Sequence, residues 1–110
     1  MTVLRSSNRQ TKVQPPANFT GVVFSDEIVQ GSAPSRMRAS VVSFTPGGRT
    51  AWHSHPVGQT LYCLSGAGSV ETLGKRLDVQ AGQLVWIANE EPHAHFADPA
   101  SPWTVRRQMI

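Results

Sequence analysis

Residues 47–59 of the chain read GGRTAWHSHPVGQ, and this stretch decides how the rest of the sequence is interpreted. It contains a His-x-His pair, His53 and His55, followed by a Pro-Val-Gly turn and Gln59. In an extended strand, residues i and i+2 point to the same face about 7 Å apart. Two imidazoles placed in this way can converge on one ion at about 2.0–2.1 Å per bond. The turn lets the next strand run back, so that Gln59 can present its amide oxygen to the same cavity.

A second His-x-His pair, His93 and His95, accounts for the remaining histidines of the chain. A strand carrying this pair opposite the first one can supply a third imidazole ligand. The alternative is that the histidines are hydrogen-bonded core or surface residues that bind no metal. Because two same-face pairs occur on strand-like segments, we favour a metal site.

Short apolar runs separated by glycine and proline fill the sequence from residue 19 onwards. They predict strands near 19–24, 37–44, 50–55, 59–64, 70–73, 76–79, 84–87, 93–97 and 103–110. About seven to nine short strands with frequent turns are typical of an antiparallel sandwich or barrel. No stretch keeps a helical period, so any helix is minor. Residues 1–18 are polar and end in a Pro-Pro pair, which predicts an N-terminal arm or edge strand before a barrel domain at 19–110.

Length and composition exclude several classes of protein. The 110 residues fit one small domain and exclude doubly wound or multidomain enzymes. The net charge is +3, but the ten basic residues are dispersed, so we expect a mildly basic surface and no nucleic-acid partner. The single cysteine, Cys63, cannot form an internal disulfide. We expect neither a leader peptide nor a membrane segment, and therefore a cytoplasmic location without a membrane partner.

The stretch that begins at residue 47 resembles the first sequence motif of the cupin superfamily. That motif is a glycine, five residues, His-x-His, three or four residues, a glutamate, six residues and a glycine. Every anchor from Gly47 to Gly66 is in register, except that Gln59 stands at the glutamate position. A weaker second motif runs from Gly82 to His93. Its usual proline, glycine and terminal asparagine are replaced by Ala88, Glu90 and Ala97.

This resemblance implies an all-β, antiparallel, single-domain jelly-roll barrel with one divalent metal ion. The implied ligands are His53, His55, Gln59 and His93. His95 matches no ligand position, so we expect it to be a residue of the pocket or its rim that acts in catalysis together with a metal-bound water. The alternative is a histidine that orients a ligand. Imidazole and oxygen donors together favour Mn, with Fe, Zn or Ni as alternatives.

A glutamine in the ligand set changes the charge of the site. The amide oxygen cancels no charge, so three neutral imidazoles and Gln59 leave the site formally at +2. This charge acidifies a bound water and favours anionic ligands and Lewis-acid chemistry over redox cycling. In the alternative interpretation, Gln59 only forms a hydrogen bond to a metal-bound water.

The glutamine variant of the motif is similar to a subgroup of small bacterial cupins that includes manganese-dependent hydroxynitrile lyases. These enzymes cleave cyanohydrins to a carbonyl compound and cyanide. The resemblance implies a metal-dependent enzyme of lyase or isomerase type, acting on a small substrate that is anionic or a cyanohydrin. Those lyases carry a further pocket histidine where Val105 stands here. The alternatives are a cupin dioxygenase with Fe or another redox metal, and a non-catalytic module that binds a metal or small ligand.

Strand alternation predicts which side chains face the interior. Leu61 and Cys63 should point inward, while Tyr62 and Leu64 should point outward. Arg107 should share a face with its alternate neighbours on the last strand. Exposed tryptophans at 52 and 86, with the N-terminal arm, favour a homodimer. The substrate pocket is expected to have a largely apolar lining made of Ser40, Val42, Phe44, Leu61, Trp103, Val105 and Met109.

Overall fold

The computed structural model describes residues 1–110, which form ten strands and a single 3₁₀ turn at Ser6–Asn8. All the strand pairings are antiparallel. The prediction of an all-β chain is therefore confirmed, with more strands than expected. The strands are β1 (Thr11–Val13), β2 (Phe19–Thr20), β3 (Val23–Gln30), β4 (Arg38–Phe44), β5 (Arg49–Thr50), β6 (Gln59–Thr72), β7 (Lys75–Gln80), β8 (Leu84–Ile87), β9 (His93–Ala97) and β10 (Trp103–Met109).

The long strand β6 organises the sheet, because it pairs with four other strands. Its first half pairs with β10 and β8, and its second half pairs with β7 and β9. The order of the sheet is β1-β3-β4-β10-β6-β9-β5-β2, with β7 and β8 attached to β6. This curled arrangement brings the start of β6 and the start of β9 together at one end of the barrel.

Alternating side chains of β4, β6 and β10 form the core. Leu61 and Cys63 are fully buried, whereas their neighbours Tyr62 and Leu64 are exposed. The predicted inward and outward faces of this strand are therefore confirmed. The indole of Trp103 is satisfied inside the core, because its Nε1 donates a hydrogen bond to Cys63 Sγ at 3.2 Å. The tryptophans at 52 and 86 are exposed, as expected.

The prediction of a strand over 50–55 is wrong. Strand β5 ends at Thr50, and the loop that follows is held by isolated hydrogen bonds rather than by a ladder. The amide of Ala51 donates to the carbonyl of Asn18 at 2.8 Å, and His53 forms an isolated bridge with His93. The first His-x-His pair therefore lies in a loop, although its two rings still converge.

The prediction of separate strands over 59–64 and 70–73 is also wrong, because β6 runs without a break from Gln59 to Thr72. Gly66 has a φ of +79° inside the strand, and a Cβ at this position would clash with the carbonyl of Pro102. The pairing between β6 and β10 shifts its register between Thr104 and Val105. A bulge at this point lets the strand pass through a glycine that looks like a turn in the sequence.

The N-terminal residues are attached to the sheet through β1, which pairs with β3. The predicted strand over 19–24 is divided into β2 and the start of β3. The division of the chain into an arm at 1–18 and a domain at 19–110 stays a prediction. The structure has no helix with the length and hydrophobicity that a membrane crossing requires.

Candidate metal centre

The backbones of His53 and His93 are joined directly. The amide of His53 donates to the carbonyl of His93 at 3.0 Å, and the amide of His93 donates back to the carbonyl of His53 at 2.9 Å. This reciprocal pair connects the loop after β5 to the first residue of β9. The spacing between the two imidazoles is therefore determined by the main chain, and their ring centroids lie 4.3 Å apart.

Three imidazoles converge at this bridge. His53, His55 and His93 each offer a ring nitrogen, and these nitrogens lie within 4.8 Å of one another. Two ligands on opposite sides of an ion with bonds of about 2.1 Å are separated by about 4.2 Å. A small inward movement is therefore sufficient for all three to bind at once. The three histidines are positioned to bind one metal ion.

The orientation of two of the rings is fixed by the backbone. Nδ1 of His53 lies 2.7 Å from the carbonyl of Ala51, and Nδ1 of His93 lies 2.8 Å from the carbonyl of Glu91. Because a carbonyl oxygen only accepts, both Nδ1 atoms carry the proton in these contacts. The lone pair of each neutral ring is then on Nε2. Metal-binding histidines typically donate such a hydrogen bond from the ring nitrogen that does not bind the metal.

His55 adds a nitrogen that has no partner in the structure. Its Nε2 atom is buried and forms no hydrogen bond. Its carbonyl accepts hydrogen bonds from the amides of Gly58 and Glu90, at 3.3 and 2.8 Å, which hold the loop in place. A buried imidazole nitrogen without a partner is costly unless something else satisfies it. A metal ion shared with the other two rings would satisfy it.

Gln59 faces the same cluster from the first position of β6. Its backbone is placed by Gly58, whose φ is +88° and where a Cβ would lie 2.6 Å from the carbonyl oxygen of Ile87. The side chain is 2% exposed, and its Oε1 lies 3.3 Å from Nε2 of His93. Its Nε2 lies 3.9 Å from Sδ of Met109. Gln59 is therefore oriented with its oxygen toward the histidines.

The contact between Gln59 and His93 brings two acceptors together. Since Nδ1 of His93 donates to Glu91, the Nε2 atom of the neutral ring carries a lone pair that faces the amide oxygen. Two adjacent ligands on an ion with bonds of about 2.1 Å are about 3.0–3.4 Å apart, which includes the observed separation. A shared cation would resolve the mismatch between the two lone pairs, so these residues fit a bound metal.

Burial keeps His55 and His93 in the form that binds metal. It lowers the pKa of His93, and the nearby His53 lowers it further. Burial and the neighbouring rings of His53 and His93 lower the pKa of His55 to about 4. Neutral imidazole is the form that coordinates a metal ion. These two rings are therefore ready to bind a metal at neutral pH.

His95 lies behind this cluster and is not one of the three converging residues. Its ring stacks on that of His93 with a centroid separation of 5.0 Å and is 5.1 Å from that of His53. The side chain is 2% exposed, and its Nε2 forms no hydrogen bond. Burial, followed by the charges of His53 and His93, holds the pKa of His95 well below its usual range. The role of His95 as a catalytic residue stays a prediction.

A cavity of about 340 Å³ opens over the histidine loop. His53, His55 and Arg107 line it together with Phe19 and Trp52. None of the seven residues predicted for the substrate pocket is among the lining residues of this cavity. Their assignment to a pocket stays a prediction. The structure places Val42, Phe44, Leu61, Trp103 and Val105 in the hydrophobic core, and Ser40 and Met109 beside a second cavity of about 700 Å³.

The basic residues are dispersed along the sequence, but many of them are brought together in space. Half of them line the larger cavity, where Glu27 is the only acidic residue. They come from the N-terminal segment and from β4 and β10, which the sheet order brings to one side. Sequence reasoning missed this cluster because its members are far apart in the chain. They are Arg5, Arg9, Lys12, Arg38 and Arg107.

Comparisons with known proteins agree with this fold. Residues 40–104 match the cupin domain family. The (R)-mandelonitrile lyase of Granulicella tundricola is 35% identical over 105 residues, which cover 94% of this chain and 80% of that protein. A cupin-like protein from Thermotoga maritima superposes with a TM-score of 0.84 and 31% identity, over 87% of this chain and 74% of that one.

A more distant structure shows the same fold. The polyketide cyclase RemF from Streptomyces resistomycificus superposes with a TM-score of 0.82 over 98% of this chain and 78% of that one, at 16% identity. At this identity the similarity concerns the fold alone. The family match covers more than half of the chain, and the lyase relative covers nearly all of it. The predicted jelly-roll fold is confirmed, and the chain belongs to the cupin family.

Proposed function

We propose that this protein is a divalent-metal-dependent lyase that cleaves a carbon–carbon bond next to a hydroxyl group, as in the breakdown of a cyanohydrin. The observation that carries the proposal is the convergence of the imidazoles of His53, His55 and His93 on one point. The similarity to a (R)-mandelonitrile lyase over nearly the whole chain supports the type of reaction.

We further propose that His53, His55 and His93 bind the ion through Nε2 and that Gln59 binds it through Oε1. Manganese is the favoured ion, because imidazole and oxygen donors together suit it. A bound divalent ion supplies Lewis-acid stabilisation of the negative charge that develops on a substrate oxygen. The uncharged ligand set would leave the full charge of the ion available for this purpose.

The reaction also needs a group that moves a proton. In cyanohydrin cleavage the hydroxyl loses its proton, the carbon–oxygen double bond forms, and the electron pair of the broken carbon–carbon bond leaves with cyanide. The proton finally joins cyanide to give hydrogen cyanide. An unprotonated base beside the site is required. His95 is the candidate, because it is neutral and packs against two of the proposed ligands. Tyr62 faces outward, so its phenol is not placed to take this proton.

The proposal is tested by measuring metal content and turnover together. Purified protein is analysed for bound metal, loaded with Mn²⁺ and assayed for release of benzaldehyde from mandelonitrile. The wild type and the control Ser54→Ala, which changes an exposed residue of the same loop, should hold about one ion per chain and release aldehyde. His53→Ala should lose both the ion and the activity.

Several outcomes would contradict the proposal. If the wild-type protein holds no stoichiometric metal, the site itself is wrong. If it holds metal but releases no aldehyde, the lyase reaction is wrong. Oxygen uptake with Fe²⁺ would then favour the alternative of a dioxygenase. Tight retention of a small ligand without turnover would favour a binding module.

A further inference from the structure

Arg107 is a largely buried cation that has no acidic partner. It lies on β10 opposite Ser40 of β4, and its Nε donates a hydrogen bond to Ser40 Oγ at 2.6 Å. The ion pairs of the structure involve Arg76 and no residue of this region. Buried charges in proteins are normally paired, so an unpaired guanidinium in this position requires an explanation.

Most of the donors of Arg107 are free. A guanidinium has five N–H donors, and the hydrogen bond to Ser40 uses one of them. The two Nη atoms form no hydrogen bond to the protein. They are also absent from the set of fully buried polar atoms that lack a hydrogen-bond partner, so they retain some exposed surface. They are therefore open to a cavity. The planar pair of donors that remains has the geometry that binds a carboxylate with two parallel hydrogen bonds.

The position of Arg107 connects it to the histidine cluster. Arg107 lines the smaller cavity together with His53 and His55, and it also lines the larger basic cavity. Its charge contributes to the lowered pKa of both His55 and His95. A ligand in the smaller cavity can therefore meet the proposed metal ligands and the guanidinium at once.

The surroundings of Arg107 increase the preference for an anion. Arg38, whose Nη2 lies 3.5 Å from Sδ of Met109, is a second cation without an acidic partner. Its charge, after burial, lowers the pKa of Arg107. Glu27 is the only acidic residue that lines the larger cavity, and it is exposed to solvent. Two neighbouring cations without counter-ions favour the binding of an anionic group.

We propose that Arg107, held by Ser40, binds a carboxylate group of the substrate, which makes the substrate a small 2-hydroxy compound that also carries a carboxylate. This inference rests on the proposed function for the role of the hydroxyl group. The carboxylate site itself is defined by Arg107 and Ser40 and does not depend on turnover.

Binding is measured by NMR titration with mandelate and with neutral mandelamide, which differ in the charged group. The titration uses the full chain as purified and again after chelation of metal. Mandelate should bind more tightly than mandelamide in both cases. Arg107→Gln should weaken mandelate binding by about tenfold to a hundredfold, as expected for hydrogen bonds to a charged group, and should leave mandelamide binding unchanged.

Two further variants make the result specific. Arg106→Gln is the matched control, because Arg106 is the exposed neighbour on β10 and its Nη2 is bonded to Gln108. It should bind mandelate like the wild type. Arg107→Lys keeps the charge but not the planar pair of donors, so it should retain part of the affinity and show that the fold is intact.

The inference is overturned if the wild type binds both ligands equally, or if the glutamine variants at 106 and 107 weaken mandelate binding to the same extent. Because binding is also measured on metal-free protein, failure of the lyase assay would not change this result. Failure of the titration would likewise leave the lyase proposal standing.

Discussion

Replacing Gln59 with leucine distinguishes between two roles of its side chain, that of a metal ligand and that of an ordinary hydrogen-bonded core residue. In the metal-free chain its Oε1 faces a lone pair of His93 at 3.3 Å, and its Nε2 has only the thioether of Met109 as a neighbour. Removal of the amide therefore costs no strong hydrogen bond, and an apolar side chain suits a position that is 2% exposed. We expect the stability of the metal-free chain to change by less than about 1 kcal/mol.

In the metal-loaded chain the same substitution removes a ligand. An ion at a free concentration of about one hundred times its Kd stabilises the native state by about 2.7 kcal/mol. At about 4 °C per kcal/mol for a domain of this size, this raises the Tm by about 11 °C. A tenfold increase in Kd at the same Mn²⁺ concentration leaves about 1.4 kcal/mol, or about 6 °C. A hundredfold increase leaves about 2 °C.

Thermal unfolding followed by circular dichroism, with EDTA and with a fixed concentration of Mn²⁺, measures both effects. Gln80→Leu, at an exposed position of β7, is the control and should keep the full metal-induced shift. Our reasoning is refuted if Gln59→Leu destabilises the metal-free chain by more than about 2 kcal/mol and leaves the shift at full size. Gln59 would then be an ordinary hydrogen-bonded core residue.

Gln59→Glu, Leu61→Ala, a change of pH and Trp86→Lys give further predictions. The carboxylate added by Gln59→Glu should cancel one unit of the charge of the bound metal ion, so it should strengthen metal retention and weaken the binding of small anions. An unchanged affinity for anions would contradict the charge argument. Leu61→Ala should lower the free energy of unfolding, measured with urea, by about 2–5 kcal/mol. The control Leu64→Ala, at an exposed position, should lower it by less than about 0.5 kcal/mol. Equal effects of the two substitutions would disprove the assignment of Leu61 to the core. The folded-state pKa of His55 is lowered from 6.5 to about 4. As the pH falls, the unfolded chain therefore protonates this ring at a higher pH than the folded chain does. The stability of the metal-free protein should therefore be fully present above pH 6.5 and decrease as the pH falls toward 4, and a flat profile in urea unfolding over this range would show that burial of the ring has no such effect. Trp86 is 69% exposed on β8, beside the exposed face of β6, and we expect this face to form a homodimer. Light scattering should show that Trp86→Lys converts the dimer to a monomer, and a monomeric wild type would contradict this prediction.

Features with a local cause were predictable from the sequence. The inward positions of Leu61 and Cys63 follow from the two-residue period of a strand, which does not depend on distant contacts. The convergence of the first two histidines was also predictable, but its mechanism was not. We expected a strand to align His53 and His55, whereas the structure uses a loop tied to His93.

Features that depend on distant neighbours were not predictable. The continuation of β6 through Gly66 depends on the carbonyl of Pro102 lying against it and on a bulge of β6 in its pairing with β10. The cluster of basic residues around Arg107 depends on the sheet order, which sequence patterns did not specify. The assignment of Gln59 and His93 as ligands came from the family motif and not from spacing alone.

The reciprocal amide bonds between His53 and His93 have a consequence for the exchange of ions. The backbones of His53 and His93 keep their separation whether or not a metal ion is bound, because the hydrogen bonds between their peptide groups set it. Chelation should consequently empty the centre while the barrel stays folded, and refilling should be fast because no chain rearrangement precedes it. The same rigidity makes this pair of positions a suitable place to exchange side chains and engineer a preference for another metal.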